Sequence, residues 1–334
     1  MRKATQYNLF TDLFLLTFTV TRSRILTTEI PHHLAGLRLD QALAVLFPDF
    51  SRARLQTWIK DGHALLDGIQ VAPRQKLLGG ERVELRAEAD AAVECEAEAI
   101  PLTVVHADES IFVIDKPAGL VVHPAAGHPA GTLQNALLHL DPALAAIPRC
   151  GIVHRLDKDT SGLLVVARTL EAHKSLVDQL KDRSVNREYL ALVQGMVTAG
   201  ATVDEPIGRH PADRKRFAVR PDGRESVTHY RVEERFLHHT LLRVRLETGR
   251  THQIRVHMAH LHHPLVGDPV YGGRARIPAA ADPVLIDALR GFRRQALHAA
   301  RLGLIHPEKG GEMAWESPLP PDFDALLRLL RSLG

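Results

Sequence analysis

Cysteine is nearly missing from this chain of 334 residues: Cys95 and Cys150 are the only two, and no CxxC spacing occurs. That excludes a disulfide framework and a thiolate zinc site, and it fits a reducing compartment, the cytoplasm. Also missing are the P-loop, the GxGxxG fingerprint, HExxH, GxSxG and the EF-hand loop. Phosphoryl transfer, dinucleotide redox chemistry and zinc proteolysis thus lose their usual sequence support. No apolar run is long enough to span a bilayer. The stretch at 9–20 is short, carries Asp12 and three threonines, and is followed by no small-residue cleavage site, so neither a membrane anchor nor export is expected. Neither sign of charge dominates, with 42 Lys and Arg against 39 Asp and Glu.

What is present divides the chain into four sections. Residues 1–30 read as an N-terminal extension without stable structure. Residues 31–86 read as a small module. In it Leu39, Leu43 and Leu46 share one helical face, ended by Pro48. Ser51 suits the N-cap of a second helix over 52–60, which turns Leu55, Trp58 and Ile59 inward and stops at Gly62. HALLDG (63–68) and ERVELR (81–86) follow as short strands. Arg52, Arg54 and Lys60 take outward positions, either as a nucleic-acid face or as a merely solvated basic one. Residues 87–100 hold five acids and no base and read as a solvated acidic linker.

The fourth section, 101–334, mixes strands and helices. Strands are expected at 111–115, 151–154, 163–167, 188–195, 226–232 and 239–247. A helix over 170–182 places Leu170, His173, Leu176, Val177 and Leu180 on one face. Strands outnumber helices and do not alternate with them, which predicts an α+β domain with a mixed or antiparallel sheet.

Two constellations carry chemistry. The first is HRLDKDTSGLLVVA (154–167), a polar loop running into an apolar strand. Asp159 fits a solvated turn. Asp157 stands between Arg155 and Lys158, and cations nearby favour an ionised carboxylate, a competent nucleophile. The second is GRTHQIRVHMAHLHHPLVGDPVYG (249–272), with five histidines between 252 and 263. A metal site is not expected there, because four arginines from 243 to 255 surround them without a carboxylate shell. Residues 205–255 hold twelve Arg or Lys against seven Asp or Glu, a basic surface suited to a polyanion.

HRLDKDTSGLLVVA resembles the signature of the RluA-type RNA pseudouridine synthase family. The resemblance continues in DKPAGLVVHP (115–124), REYLALV (187–193), residues 249–272 and RQALHA (294–299), while residues 31–86 resemble the S4 RNA-binding module. It implies a pseudouridine-synthase-type mixed or antiparallel sheet with flanking helices around a central cleft, in a catalytic domain over 101–334. It also implies isomerisation of uridine in RNA, at clustered uridines in a hairpin loop of 23S ribosomal RNA. The partner is then large-subunit ribosomal RNA or its assembly intermediate. The same chemistry on tRNA, or an RNA-binding assembly factor, are the alternatives. Asp157 corresponds to the catalytic aspartate, Arg255 to its paired arginine, and Tyr189 to the active-site tyrosine. Arg155 corresponds to the residue that fills the space left by the flipped base, and Ile254 packs beside that base. Lys116 and Arg250 are expected along the cleft. The reaction is redox-neutral and adds no water to the product, so no cofactor and no metal are expected. The protein is expected to act as a monomer. TTEIPHHLAGLRLD (27–40) resembles a family N-terminus, so translation is expected to begin near Leu26.

Overall fold

Apolar spacing in the first hundred residues builds a sheet covered by two helices. In this computed structural model, residues 23–47, 50, 52–88, 96–124, 128–213, 216–273 and 282–333 are described. The chain divides into two units, with the boundary between residues 94 and 95. The first unit runs β1 (Ser23–Glu29), α1 (Leu39–Leu46), α2 (Arg52–Lys60), β2 (Ala64–Leu66), β3 (Ile69–Gln70) and β4 (Arg82–Glu88). Its sheet order is β1-β4-β2-β3, all antiparallel. Leu39, Leu43, Leu55, Ile59, Val83 and Leu85 form its core. Residues 23–30 therefore do not belong to an unstructured extension. β1 pairs with β4 along its whole length, and Ile30 is fully buried. Leu26, Thr28 and Ile30 alternate with exposed Ile25, Thr27 and Glu29, a period of two too short to stand out beside the apolar stretch before it. Residues 1–22, Pro48 and the Ser51 cap lie outside the described residues.

The acidic linker is shorter than its composition suggests. Residues 89–95 lie outside the described residues, but 96–100 are tied to the second unit. Glu98 N–H donates to the Asn135 carbonyl at 3.0 Å, and Asn135 Nδ2 donates to the Glu96 carbonyl at 2.8 Å.

The second unit contains β5 (Thr103–Ala107), β6 (Ile111–Lys116), α3 (Leu133–Leu140), β7 (Ser161–Ala167), α4 (Leu170–Lys181), β8 (Asn186–Gln194), β9 (Ala201–Asp204), β10 (Ile207–Arg209) and β11 (Phe217–Val219). After them come β12 (Val227–Arg235), β13 (His239–Leu246), α5 (Gln253–His260), α6 (Pro283–Gly291), β14 (Leu297–Ile305), β15 (Glu312–Glu316) and α7 (Pro321–Ser332). The main sheet follows the order β5-β6-β7-β14-β8-β13-β12-β9, with β15 beside β14. β7 and β14 run parallel, and the other pairs in this sheet are antiparallel. The fold is α+β with a mixed sheet. Every residue of β7 is buried, which is why its sequence is continuously apolar rather than alternating. Its Leu163 and Val165 face Ala172 and Leu176 of α4, while Leu164 and Val166 face Leu133 and Leu137 of α3.

Two local expectations fail here. α4 buries Ala172 and Leu176 but leaves Leu170 and Val177 exposed, so its buried stripe is rotated from the one the leucines and valine suggested. The strand expected over 151–154 does not form. Arg149 and Cys150 are left-handed, at φ 54° and 51°, and Ile152 makes a single bridge to Val166. Gly151 continues the turn at φ 78°, where a Cβ would stand 1.9 Å from the Ala167 carbonyl oxygen, so the chain turns hard against the end of β7 instead of extending.

Candidate active site

The polar loop over 153–160 leads into the centre of the sheet. Three consecutive residues at its end lock onto the segment that opens β14. Gln295 Nε2 donates to Thr160 Oγ1 at 3.0 Å, and Ser161 Oγ lies 3.0 Å from His298 Nδ1. Gly162, at φ 111°, pairs with Ala299, whose carbonyl oxygen would lie 2.3 Å from any Cβ placed there. On the other side Lys158 is held by its carbonyl, which accepts from Gly119 N–H at 2.9 Å and from Lys116 Nζ at 3.0 Å. Arg294 Nη1 reaches the Asp159 carbonyl at 3.3 Å. Asp157 thus sits on backbone fixed from both sides.

Its carboxylate meets α5. Arg255 Nη1 donates to Asp157 Oδ2 at 3.0 Å, and His252 Nε2 stands 4.0 Å from the same oxygen. The same guanidinium donates through Nε and Nη2 to both oxygens of Asp268, at 2.7 and 2.9 Å. Asp268 has no exposed side-chain surface and also accepts from the backbone N–H groups of Val270 and Tyr271, at 2.9 and 3.0 Å. Burial opposes charge on both partners, but their mutual hydrogen bonds outweigh it. The Arg255 pKa is held above its ordinary value and that of Asp268 below its own. The arginine is therefore a fixed cation, aimed at Asp157 by its two bonds to Asp268. Tyr271 closes the arrangement, its hydroxyl 2.8 Å from His252 Nδ1 and its ring 5.1 Å from the Arg255 guanidinium carbon. Gln253 anchors the helix start, with Nε2 donating to the Val227 carbonyl and Thr228 Oγ1, both at 3.0 Å.

Asp157 opens into a cleft of about 680 Å³ that Arg155, Tyr189, Arg250 and Ile254 also line. Tyr189 projects from β8 and Ile254 from α5, both nearly fully buried. Burial raises the Tyr189 pKa, and the charge of Asp157 adds to the rise against the opposing pull of Arg187. The hydroxyl is thus a neutral phenol. Arg155 is exposed at the rim.

The family model for RNA pseudouridylate synthase matches residues 110–260. A Pseudomonas aeruginosa protein named ribosomal large subunit pseudouridine synthase D is 59% identical over 303 residues, 91% of this chain and 95% of its own. A Xanthomonas campestris protein of the same name is 56% identical over 302 residues, 90% of this chain and 91% of its own. The chain belongs to the RNA pseudouridylate synthase family. It is an isomerase that acts on RNA. The solved structure of human RNA pseudouridylate synthase domain containing 1 shares 26% identity and a TM-score of 0.53, over 71% of this chain and 97% of its own.

Six of the residues singled out in the sequence of this synthase meet in one cleft: Asp157, Tyr189, Arg255, Arg155, Ile254 and Arg250. Lys116 does not join them. It is fully buried beneath the loop, and its ammonium donates to three backbone carbonyls, of Pro117 at 2.8 Å and of Leu120 and Lys158 at 3.0 Å. Burial lowers its pKa to about 7, against the pull of Asp159, Asp157 and Asp115. Lys116 holds the loop from below. Lys116→Met removes all three bonds and leaves buried carbonyls unpaired. It is expected to destabilise the protein by about 2–4 kcal/mol and to slow turnover while RNA affinity holds. Thermal melting beside an RNA-binding titration checks this, and a Met variant that melts like the parent would refute it.

Lys60 is exposed at the end of α2 in the first unit, while the side chains of Arg52 and Arg54 lie outside the described residues. The histidines of 252–263 go separate ways: His257 bonds Thr228 Oγ1 and the Glu205 carbonyl, and His263 the Gln194 carbonyl. Sequence reasoning missed Asp268. Its only signal was a carboxylate inside a Gly-Asp-Pro turn, with nothing in the spacing to say it reaches back to Arg255.

Proposed function

We propose that this synthase isomerises uridine to pseudouridine in a hairpin loop of large-subunit ribosomal RNA, with Asp157 as the nucleophile. One observation carries the reading: a carboxylate on a clamped loop, 3.0 Å from a fixed guanidinium, facing a cleft beside a buried tyrosine. Asp157 attacks C1′ as the N1–C1′ bond of the uridine breaks, and the uracil turns. The C5–C1′ bond forms as the bond from Asp157 to C1′ breaks, and C5 then gives up its proton while N1 ends protonated. Asp157 supplies the negative charge at C1′, and Arg255 holds that carboxylate in its attacking orientation. Tyr189 lays its ring against the uracil, and its hydroxyl relays the C5 proton. Ile254 supports the base from α5. To enter so enclosed a site the uridine leaves its stack, and Arg155, an exposed planar cation at the rim, takes the vacated place. The ribosomal target follows the names of the relatives. The first unit acts as an S4-type module, with Arg52, Arg54 and Lys60 meeting RNA phosphates, and Arg250 meets them at the cleft.

Release of tritium from C5-labelled uridine, assayed with large-subunit ribosomal RNA and with tRNA, tests the proposal. Release from the ribosomal substrate is expected. Release from tRNA alone would overturn the target, and none from either would overturn the function. Tyr189→Phe keeps the ring and removes only the hydroxyl. Single-turnover tritium release should slow about 10²-fold or more with RNA affinity little changed; a variant as fast as the parent would exclude the hydroxyl from proton transfer.

A further inference from the structure

The mechanism above leaves one buried cation unused. β8 alternates in burial, which puts Arg187 on the same face as Tyr189, about 6.6 Å earlier along the strand. Arg187 is 7% exposed and lines the same cleft. Its Nη2 donates to the Glu247 carbonyl at 3.1 Å, while its buried Nε donates to nothing. Among the described residues it has no ion-pair partner. Glu247, whose backbone it touches, commits its own carboxylate to Arg183 at 3.2 Å and His229 at 2.6 Å. His154 is kept neutral nearby, its pKa lowered to about 3 by burial and then by the charge of Arg187. A guanidinium this buried is costly without a counter-charge, and the cleft is the side from which one can arrive. Gly249, also on the cleft wall, lies against the guanidinium: a Cβ there would stand 2.9 Å from Arg187 Nη1.

We propose that Arg187 binds the RNA phosphodiester next to the uridine that lies against Tyr189. The site rests on the RNA substrate proposed above and adds a residue to it. Its use follows from the reaction. The uracil must detach and turn while the sugar stays put, and a phosphate gripped by a buried planar fork fixes the ribose as the base moves.

The test uses the full-length protein and hairpin RNAs in which one phosphate at a time is replaced by an uncharged methylphosphonate. The parent protein should lose about tenfold or more in affinity or single-turnover rate at one phosphate flanking the target uridine. Arg187→Gln should show a similar loss on unmodified RNA, little further loss with that methylphosphonate, and a salt slope of log K shallower by about 0.7. Losses that multiply, or a parent protein indifferent to both flanking phosphates, overturn the site. Should Arg187→Gln melt early, Arg187→Lys goes through the same scan. Retained sensitivity at that phosphate supports the site, and insensitivity together with undiminished binding overturns it. A parent protein that releases no C5 tritium strikes the function itself, whereas one that does so while ignoring both phosphates strikes only Arg187.

Discussion

Asp157→Asn is expected to fold, bind RNA and release no measurable C5 tritium, a rate loss on the order of 10⁴-fold or more. The substitution nearly preserves shape. The amide oxygen can still accept from Arg255 Nη1, which now meets Asp157 Oδ2 at 3.0 Å. Arg255 itself stays charged and in place, because its two bonds to Asp268 do not depend on Asp157. The Asp157 side chain keeps 17% of its surface exposed, so losing its charge should move the melting temperature little. Removing an anion from a cleft that also holds Arg155, Arg187 and Arg250 should leave RNA affinity unchanged or slightly higher. What disappears is the negative charge that the proposed mechanism places at C1′. Melting temperature, binding and tritium release, measured on one preparation, separate these effects. Clear turnover by the Asn variant would reject Asp157 as the nucleophile.

Arg255→Ala should cost both stability and rate. The fork of this arginine engages Asp268, not Asp157, so the alanine strands a carboxylate whose side chain is wholly buried. Two backbone N–H groups remain to Asp268, yet removing one partner of a buried ion pair typically costs about 3–5 kcal/mol. That is a fall of roughly 6–20 °C in melting temperature for a domain of this size. Asp157 would also lose the donor that fixes its orientation, so single-turnover rate should fall beyond what the remaining folded fraction explains. Arg255→Lys should rescue poorly, because one ammonium cannot bond both Asp268 oxygens and still reach Asp157. Were Arg255 only a phosphate contact, Lys would restore function, melting would not change, and only affinity and its salt slope would respond. Asp268→Asn gives a second reading: it touches no substrate, and if the arginine is aimed by Asp268 its rate should fall while RNA affinity holds. A Lys variant with the parent's single-turnover rate would reject the arrangement.

Much of this site was legible because it lies in continuous stretches. The loop of 154–162 carries a carboxylate flanked by cations, and the strand of 186–194 carries Tyr189. What escaped were residues whose partners are distant in sequence. Thr160 and Ser161 read as turn residues, but they fasten the loop to Gln295 and His298. Lys116 read as a cleft cation, but three carbonyls claim it. Asp268 and Arg187 carried no reading of their own until burial singled them out.

The sequence by itself determined the reaction class, the α+β character of the catalytic domain, and the residues that face one another across the cleft. The α+β character follows from apolar periodicity, and the reaction class and the facing residues follow from the resemblance of continuous motifs to a known family; periodicity and motif are both local properties. Only the tertiary structure decided which charges are buried and which charge each one meets. Ion pairing depends on Coulomb distance and desolvation, and both are set when segments far apart in the chain pack together. Asp268 aims Arg255, Arg187 is left without a counter-ion among the described residues, and Lys116 supports the loop from below because the sheet brings those backbones there, and no pattern along the chain records it.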